Sequence, residues 1–290
     1  MNCKVSLIIP SYNNCSYLEK LLKHLLKINQ NNDYEIVIVD DASTDGTRSM
    51  LKKYKFENKV IIINLDKNHG VSYARNVGIA NSNGIYVGFL DSDDDVTDDF
   101  FDNLYNVLDL DFDCIVFGTK MTYRDYEEDY LPNLSCFNDK KDIIAKNKYL
   151  DIYFINWVTN KLFKRSIVLK HKFDINYKTG EDLKFMSKIF ADLNKYYFIN
   201  KVMYIYNRTN CNSITRTKTN DIVDVVYKSI FCIKKMIKEN KLDIEYFNRY
   251  KIGMINYCEK KLAESVDDIN LRKLLMSKLF FKGDVTDEEY

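Results

Sequence analysis

The first third of the sequence alternates regularly between short apolar runs and amphipathic segments, and this alternation restricts the possible folds more than any other feature. Four runs are rich in β-branched residues, as buried strands are: Val5–Ile9, Glu35–Val39, Val60–Ile63 and Ile85–Leu90. The segments between them have helical periodicity, clearest in the leucines at positions 18, 21, 22, 25 and 26. The pattern predicts an α/β fold, a Rossmann-like, doubly wound and mostly parallel sheet.

The pattern changes after residue 100. It predicts helices over Asp98–Leu108 and Gly180–Leu193, a strand over Cys114–Thr119 and a pair of strands over Lys195–Arg208. From Asp221 onward it predicts only helices, with lysine-rich outer faces. Since no Gly-, Ser- or Pro-rich linker marks a boundary, we place one near residue 220. The expected organisation is a domain over residues 1–220 and a helical C-terminal extension over residues 221–290.

The composition excludes several classes of protein. The 290 residues have a formal net charge of +1, which gives no reason to expect nucleic-acid binding. The seven cysteines are scattered singly, and neither a disulfide framework nor a zinc site is indicated. No apolar stretch approaches the roughly 20 residues of a membrane span, and no signal-peptide core follows Met1. We therefore expect a globular protein of the reducing cytosol.

Three polar clusters follow predicted strands at the point where each strand ends. "PSYNN" (Pro10–Asn14) follows the first strand, "DDASTDGT" (Asp40–Thr47) the second and "DSDDD" (Asp91–Asp95) the fourth. Ligands of open parallel sheets bind beyond the carboxyl ends of the strands. We therefore expect the three clusters to line one crevice.

The acidic cluster has three interpretations. Asp91 and Asp93, in a D-x-D spacing, suit a hard divalent cation that bridges to a diphosphate. The run could instead be a solvated loop that favours the dipole of the next helix. A third alternative is a phosphatase in which Asp91 attacks phosphorus, although such a motif normally lies on the first strand. The position beside two other polar clusters favours the cation site.

Five segments taken together resemble glycosyltransferase family 2: "VSLIIPSYNN", "EIVIVDDASTDGT", "NHGVSYARNVGI", "GIYVGFLDSDD" and "TGEDLKF". The resemblance is close over residues 4–110 and looser over residues 155–215, and it does not extend to residues 221–290. It implies a GT-A-type fold, with a nucleotide-sugar half over about residues 1–110 and an acceptor half over about residues 111–220. It also implies an inverting hexosyl- or N-acetylhexosaminyltransferase that acts on a surface polysaccharide or lipopolysaccharide, with a UDP-sugar as donor.

The resemblance assigns the donor side of the site. Pro10 and Tyr12 match the positions that hold the nucleotide base, and Asp41 matches the acceptor of a hydrogen bond from that base. Arg75 matches a basic position beside the diphosphate. Asp91 and the adjacent Ser92 are assigned to the donor as well.

The same comparison assigns the metal. Asp93 is the expected direct ligand of Mn²⁺ or Mg²⁺, and Asp91 contributes to the metal or to the ribose. Asp94 is expected behind these residues, and Asp95 is expected to face solvent.

"GED" matches the acceptor-side motif of the family, and it makes Asp182, with Glu181 beside it, the general base that takes the proton from the acceptor hydroxyl. Without the resemblance, the two acids would be interpreted as helix-dipole residues. Trp157, the only tryptophan, is either a platform for a sugar ring or a core residue.

Two departures from the family pattern concern the donor loops. Ala42 stands where the family usually has glycine, so this loop has to form without a residue that adopts positive φ easily. Asp95 stands where an apolar or aromatic residue is common. A catalytically silent relative that only binds the nucleotide sugar is a further alternative.

The basic segment Lys228–Lys241 has two interpretations. It could contact the inner face of the membrane, which would suit a lipid-linked acceptor. It could also be a helix that packs on the rest of the protein with solvated lysines outward, and this interpretation is favoured.

Overall fold

The computed structural model describes residues 3–28, 33–131, 143–145, 157–177, 180–209 and 219–239, together with short groups of residues between 248 and 277. The strands in this part of the chain are β1 (Val5–Ser11), β2 (Tyr34–Asp40), β3 (Val60–Asn64), β4 (Tyr86–Phe89), β5 (Asp95–Val96), β6 (Cys114–Thr122), β7 (Glu127–Tyr130), β8 (Ile143–Ala145), β9 (Lys161–Lys164) and β10 (Lys195–Asn207). The α-helices are α1 (Cys15–Ile28), α2 (Thr47–Leu51), α3 (Val71–Ala80), α4 (Phe100–Tyr105), α5 (Arg165–Val168), α6 (Glu181–Ile189) and α7 (Thr219–Glu239).

The described strands form one mixed sheet with the order β3-β2-β1-β4-β9-β6-β10-β5, while β7 pairs with β6 and β8 pairs with β10. The four strands predicted from the first third of the sequence are mutually parallel. Strand β9 runs antiparallel between β4 and β6. The predicted α/β class with a Rossmann-like, mostly parallel first half is therefore confirmed.

Close contact between α3 and the sheet holds the helix that carries Arg75. A Cβ atom added to Gly78 would lie 2.3 Å from Cγ2 of Ile8, which is on the central strand β1. Since real Cβ atoms do not approach other atoms so closely, only glycine allows α3 to lie at this depth. The apolar faces of α1 and α4 pack on the same sheet, around Leu18, Leu22 and Leu104.

Two predictions about the chain after β4 need correction. Residues Lys195–Asn207 form a single long strand rather than a pair of strands, because β10 continues along β6 through two register shifts without a turn. The helix predicted over Asp98–Leu108 is shorter and covers only Phe100–Tyr105, followed by a 3₁₀ turn at Leu108–Leu110. The helix predicted after Gly180 is present as α6.

Contacts divide the chain into two compact units, Met1–Asn210 and Cys211–Tyr290. The functional domains that we predicted, with a boundary near residue 220, stay a prediction. In the second unit, α7 buries Val223, Val226, Ile233 and Ile237 and exposes lysines 234, 235 and 238. The last two positions of the predicted basic segment, 240 and 241, lie outside the described residues. No described helix combines the length and the apolar character that crossing a membrane requires.

Candidate active site

Hydrogen bonds join the three loops that follow β1, β2 and β4. The backbone N–H of Asn13 donates to Oγ of Ser43 at 2.9 Å, and Nδ2 of Asn14 donates to Oγ of Ser92 at 3.0 Å. The Asn13 side chain in turn accepts the N–H of Thr44 at 2.7 Å. The predicted meeting of the three polar clusters at one edge of the sheet is confirmed.

Pro10 and Tyr12 lie at the end of β1, where the family resemblance expects the nucleotide base. Pro10 is part of the strand and pairs with Val39 of β2. The Tyr12 side chain follows directly and is 45% exposed. An aromatic ring with that much free surface can stack on a planar base.

Asp41 is buried and fixes the start of α3. Its Oδ1 accepts the N–H of His69 and its Oδ2 accepts the N–H of Gly70, both at 2.7 Å. Each carboxylate oxygen can accept a further hydrogen bond, so the residue can still bind a base N–H. Asp40 beside it supports the loop, because its Oδ2 accepts both the Ser43 N–H and Nε of Arg48.

Ala42 adopts a left-handed conformation, with φ of 63°. The loop after Asp41 therefore keeps the shape that glycine would allow, and the alanine carries the steric cost of about 1–2 kcal/mol.

The acidic cluster is partly buried and strongly charged. Ser92 is buried, Asp91 and Asp93 are half-buried, and Asp94 is only 5% exposed. Asp94 accepts hydrogen bonds from the Tyr204 hydroxyl and, at 2.8 Å, from the Asn207 N–H. Burial, followed by the charges of Asp91 and Asp93, raises the pKa of Asp94 well above its ordinary value. This places Asp94 behind the D-x-D pair, as expected.

Asp95 does not face solvent, contrary to the prediction. It begins β5, and its side chain is 19% exposed. Its Oδ1 lies 2.6 Å from Nδ1 of His24 on α1, and Oδ1 of Asp98 lies 2.9 Å from Nε2 of the same ring. Burial lowers the pKa of His24, but the two carboxylates outweigh it and raise this pKa above its ordinary value. Asp95, the acid that departs from the family pattern, is therefore paired with a basic residue.

Arg75 joins the donor side of the site to the acceptor side. Its side chain is 3% exposed. Nη2 donates to Oδ1 of Asp91 at 3.0 Å, while Nη1 donates to Oδ1 of Asp182 at 2.6 Å and to Oε1 of Glu181 at 3.1 Å. Its Nε is buried without a hydrogen-bond partner. The predicted contact between Arg75 and phosphate stays a prediction, since three carboxylates already hold this guanidinium.

Asp182 and Glu181 form the first turn of α6, which starts after Gly180 at φ of 75°. The N–H of Val158 donates to Oδ2 of Asp182 at 3.4 Å. Burial raises the pKa of Asp182 to about 7, with Arg75 opposing the rise and Glu181 and Asp91 adding to it. A carboxyl group with this pKa can act as a general base near neutral pH.

A family model described as glycosyl transferase family 2 matches residues 6–171, which is more than half of the chain. The chain belongs to glycosyltransferase family 2. It is therefore a glycosyltransferase that uses a nucleotide sugar.

Curated relatives match this glycosyltransferase over most of its length. Glycosyltransferase GlyG of Streptococcus pneumoniae is 27% identical, over 97% of this chain and 97% of its own. The poly(ribitol-phosphate) beta-N-acetylglucosaminyltransferase TarP of Staphylococcus aureus is 29% identical, over 89% of this chain and 81% of its own.

Among solved structures, S. aureus TarS residues 1–349 in complex with UDP-GlcNAc superposes with a TM-score of 0.73 at 20% identity. The match covers 95% of this chain and 79% of that chain. It confirms the predicted GT-A-type fold of this glycosyltransferase.

The carboxylates of the D-x-D pair in this glycosyltransferase fit a hard divalent cation. Carboxylate oxygens are the ligands that Mn²⁺ and Mg²⁺ prefer, and burial together with the charges of Asp91 and Asp93 raises the pKa of the adjacent Asp94. Among the described residues, no group of three or more His, Cys, Asp and Glu side chains could hold a metal. A cation at Asp93 would therefore need diphosphate oxygens and water to complete its coordination.

The sequence did not identify several residues of the site. His69 and Gly70 hold Asp41 through their backbone N–H groups. The one sequence feature that could have indicated this contact is the glycine at the start of the helical pattern. Tyr204 and His24 bind acids of the D-x-D loop from 110 and 71 residues away, and no local pattern signals either contact. Trp157, for which a sugar platform and a core position were both open, is half-buried and lies edge-on to Tyr130 at 6.3 Å.

Proposed function

We propose that this enzyme transfers a hexosyl or N-acetylhexosaminyl group from a UDP-sugar to an acceptor hydroxyl of a surface glycan, with inversion at the anomeric carbon. The observation that carries the proposal is the position of Arg75, whose guanidinium binds both Asp91 and Asp182. A donor-side acid and a candidate base are thereby bound to the two terminal nitrogens of one buried guanidinium, which fixes their positions relative to each other.

The loops after β1, β2 and β4 bind the nucleotide-sugar donor. Tyr12 offers an exposed ring to the base, Pro10 fixes the direction of the chain before it, and Asp41 accepts a hydrogen bond from the base. Asp91 and Ser92 face the sugar and the diphosphate. Uracil is supported by the neighbour TarS, whose structure was determined with UDP-GlcNAc.

Asp182 takes the proton from the attacking hydroxyl. With a pKa of about 7 it is about half deprotonated near neutral pH, and its position in the first turn of α6 directs the carboxylate. Glu181 shares the Arg75 cation and raises the pKa of Asp182 by its own charge. Attack from the face opposite the leaving UDP gives inversion in one displacement.

A divalent metal, Mn²⁺ or Mg²⁺, would be held by Asp93 with Asp91 beside it. When bound, it neutralises the charge that develops on the leaving diphosphate. Asp94 stays behind these two residues, where Tyr204 and Asn207 fix its carboxylate. Arg75 keeps Asp91 directed towards the donor.

The acceptor is proposed to be a surface glycan because TarP, a near full-length relative, is named for transfer to a poly(ribitol phosphate). An enzyme at the cytoplasmic face of the membrane could reach a lipid-linked acceptor. The exposed lysines 234, 235 and 238 of α7 would suit contact with an anionic membrane surface. Neutralising these lysines should then reduce flotation with anionic liposomes. Unchanged flotation would rule out the membrane contact without affecting the chemistry.

The proposal is tested by incubating the protein with Mn²⁺ and a panel of UDP-sugars and measuring the release of UDP and of inorganic phosphate. Metal-dependent release of UDP from at least one donor is expected. Binding of UDP-sugars without any turnover would instead indicate a silent relative. Release of inorganic phosphate from a phosphomonoester would favour the phosphatase alternative, in which Asp91 is the nucleophile.

A further inference from the structure

The hairpin of β6 and β7 has one aromatic face. A two-residue turn at Arg124 and Asp125 joins the strands, and the N–H of Tyr123 donates to the carbonyl of Tyr126 at 2.9 Å. Thr119 pairs with Tyr130, and Met121 pairs with Glu128. Because side chains alternate along a strand, one face of the hairpin carries Thr119, Met121, Tyr123, Tyr126, Glu128 and Tyr130.

Aromatic contacts occur at both ends of this face. At the turn, the rings of Tyr123 and Tyr126 stack with centroids 4.3 Å apart and planes 14° apart. The guanidinium of Arg208 lies 5.6 Å from the Tyr123 ring. At the other end, Tyr130 lies edge-on to Trp157. We call Tyr123, Tyr126, Tyr130 and Trp157 the aromatic row.

Residues that adjoin the aromatic row at both ends make hydrogen bonds to the candidate active site. Arg208 donates its N–H to the carbonyl of Thr122 at 2.9 Å, and the preceding residue Asn207 binds Asp94 behind the D-x-D pair. Trp157 immediately precedes Val158, whose N–H binds the Asp182 carboxylate. Neighbouring backbone therefore links Trp157 to the proposed base and Tyr123 to Asp94, which lies behind the D-x-D pair.

We propose that the aromatic row is the acceptor subsite and that it binds the neutral sugar rings of an acceptor more than one residue long. This inference rests on the proposed transfer to a glycan. Tyr126 is 59% exposed, whereas tyrosine rings that pack in a core are mostly covered. An exposed tyrosine ring is suited to stack on the face of a sugar. Tyr126 and Tyr130 are four residues apart, about 13 Å at 3.3 Å per residue, which exceeds the length of one sugar ring.

Charge on the hairpin favours neutral sugars over a polyanion. Residues 119–130 carry the carboxylates Asp125, Glu127, Glu128 and Asp129 against the cations Lys120 and Arg124. Glu128 lies on the aromatic face itself, where its carboxylate can accept hydrogen bonds from sugar hydroxyls. A polyphosphate chain along this face would meet the Glu128 carboxylate and the net negative charge of the hairpin as a whole.

Trp157 makes the test independent of turnover, since it is the only tryptophan of the chain and reports binding by its fluorescence. The probes are single sugars and short oligomers of the chito-, malto- and galacto-oligosaccharide series, with poly(ribitol phosphate) as the polyanion. At least one neutral series should change the fluorescence, with affinity rising from the single sugar to the oligomers. Tighter binding of poly(ribitol phosphate), or no response to any neutral series, would overturn the proposal.

Variants of the hairpin test which face is used. Tyr126→Ala should weaken binding of the oligomers about five- to tenfold, the loss of one aromatic stacking contact, whereas Tyr126→Phe should restore it. Glu127→Gln on the opposite face should bind like the wild type. Equal effects of Tyr126→Ala and Glu127→Gln would overturn the assignment.

Failure of this inference can be distinguished from failure of the proposed function. If the wild type releases UDP from its donor but binds no oligosaccharide, the subsite is wrong and the transferase proposal stands. If oligosaccharides bind with the expected dependence on Tyr126 but no UDP-sugar turns over, the subsite stands and the proposed transfer is wrong.

Discussion

The Nη1 atom of Arg75 lies 2.6 Å from Oδ1 of Asp182, and this contact joins two elements that are 107 residues apart in sequence. The same guanidinium binds Asp91 through Nη2. Because Arg75 is buried, its charge acts on both acids with little screening by solvent. Arg75 therefore helps to position the candidate base and opposes the rise that burial causes in its pKa.

Removing Arg75 should shift the pH dependence of turnover. Arg75 opposes the rise in the pKa of Asp182, so Arg75→Met should raise that pKa above about 7 and move the acid limb of the kcat profile to higher pH. Arg75→Lys keeps the charge and should shift the limb less. The measurement is kcat against pH for the three proteins.

Stability has to be measured on the same samples, since breaking a buried ion network costs about 3–5 kcal/mol. Lys53→Met, which removes an exposed lysine paired with Glu19, is the control and should leave the profile unchanged. A folded Arg75→Met protein with the wild-type acid limb would contradict this role of Arg75.

Asp93 should be needed for metal-dependent donor binding. Loss of a direct metal ligand should reduce metal affinity at least as much as loss of a residue that only supports the ligands. Asp93→Asn should therefore weaken UDP binding in Mn²⁺ by about 100-fold, to the level seen with a chelator. The matched control is Asp102→Asn, which changes an exposed acid of α4. Calorimetry of UDP binding with and without Mn²⁺ measures the effect, and equal UDP affinities of Asp93→Asn and wild type in Mn²⁺ would exclude Asp93 as the ligand.

Ala42 should be a site at which glycine stabilises the protein. The left-handed φ of 63° costs alanine about 1–2 kcal/mol, and the greater freedom of unfolded glycine cancels about 0.5–1 kcal/mol of that cost. Ala42→Gly should therefore raise the free energy of unfolding by up to about 1.5 kcal/mol in denaturant titrations. Ala80→Gly, at the exposed last residue of α3, should lower it by up to about 1 kcal/mol. Destabilisation by both substitutions would show that the Ala42 loop is not under this strain.

The sequence predicted the parts of the fold that local periodicity determines. The four parallel strands and the polar clusters at their ends follow from runs of β-branched residues and the residues after them. Strand β10 was divided wrongly because its register shifts along β6 replace a turn, and a single sequence does not distinguish a bulge from a turn at that point.

The chemistry of the site was predicted less completely, because it depends on contacts between distant elements. The resemblance supplied Asp182 and Arg75 but not their ion pair, which requires the relative placement of α3 and α6. Asp95 was predicted to face solvent because its partner, His24, lies on α1, and nothing in the local sequence relates the two.

Asp182 is proposed to deprotonate the acceptor, and the sharpest test of this role is the rate of transfer by Asp182→Asn beside its affinity for the donor. The amide cannot accept the proton, so kcat should fall by about 10²–10⁴-fold while the Kd of the UDP-sugar stays close to that of the wild type. In the wild type, kcat should decline as the pH falls below about 7, because protonation removes the base. Near-normal turnover by Asp182→Asn would show that Asp182 is not the base.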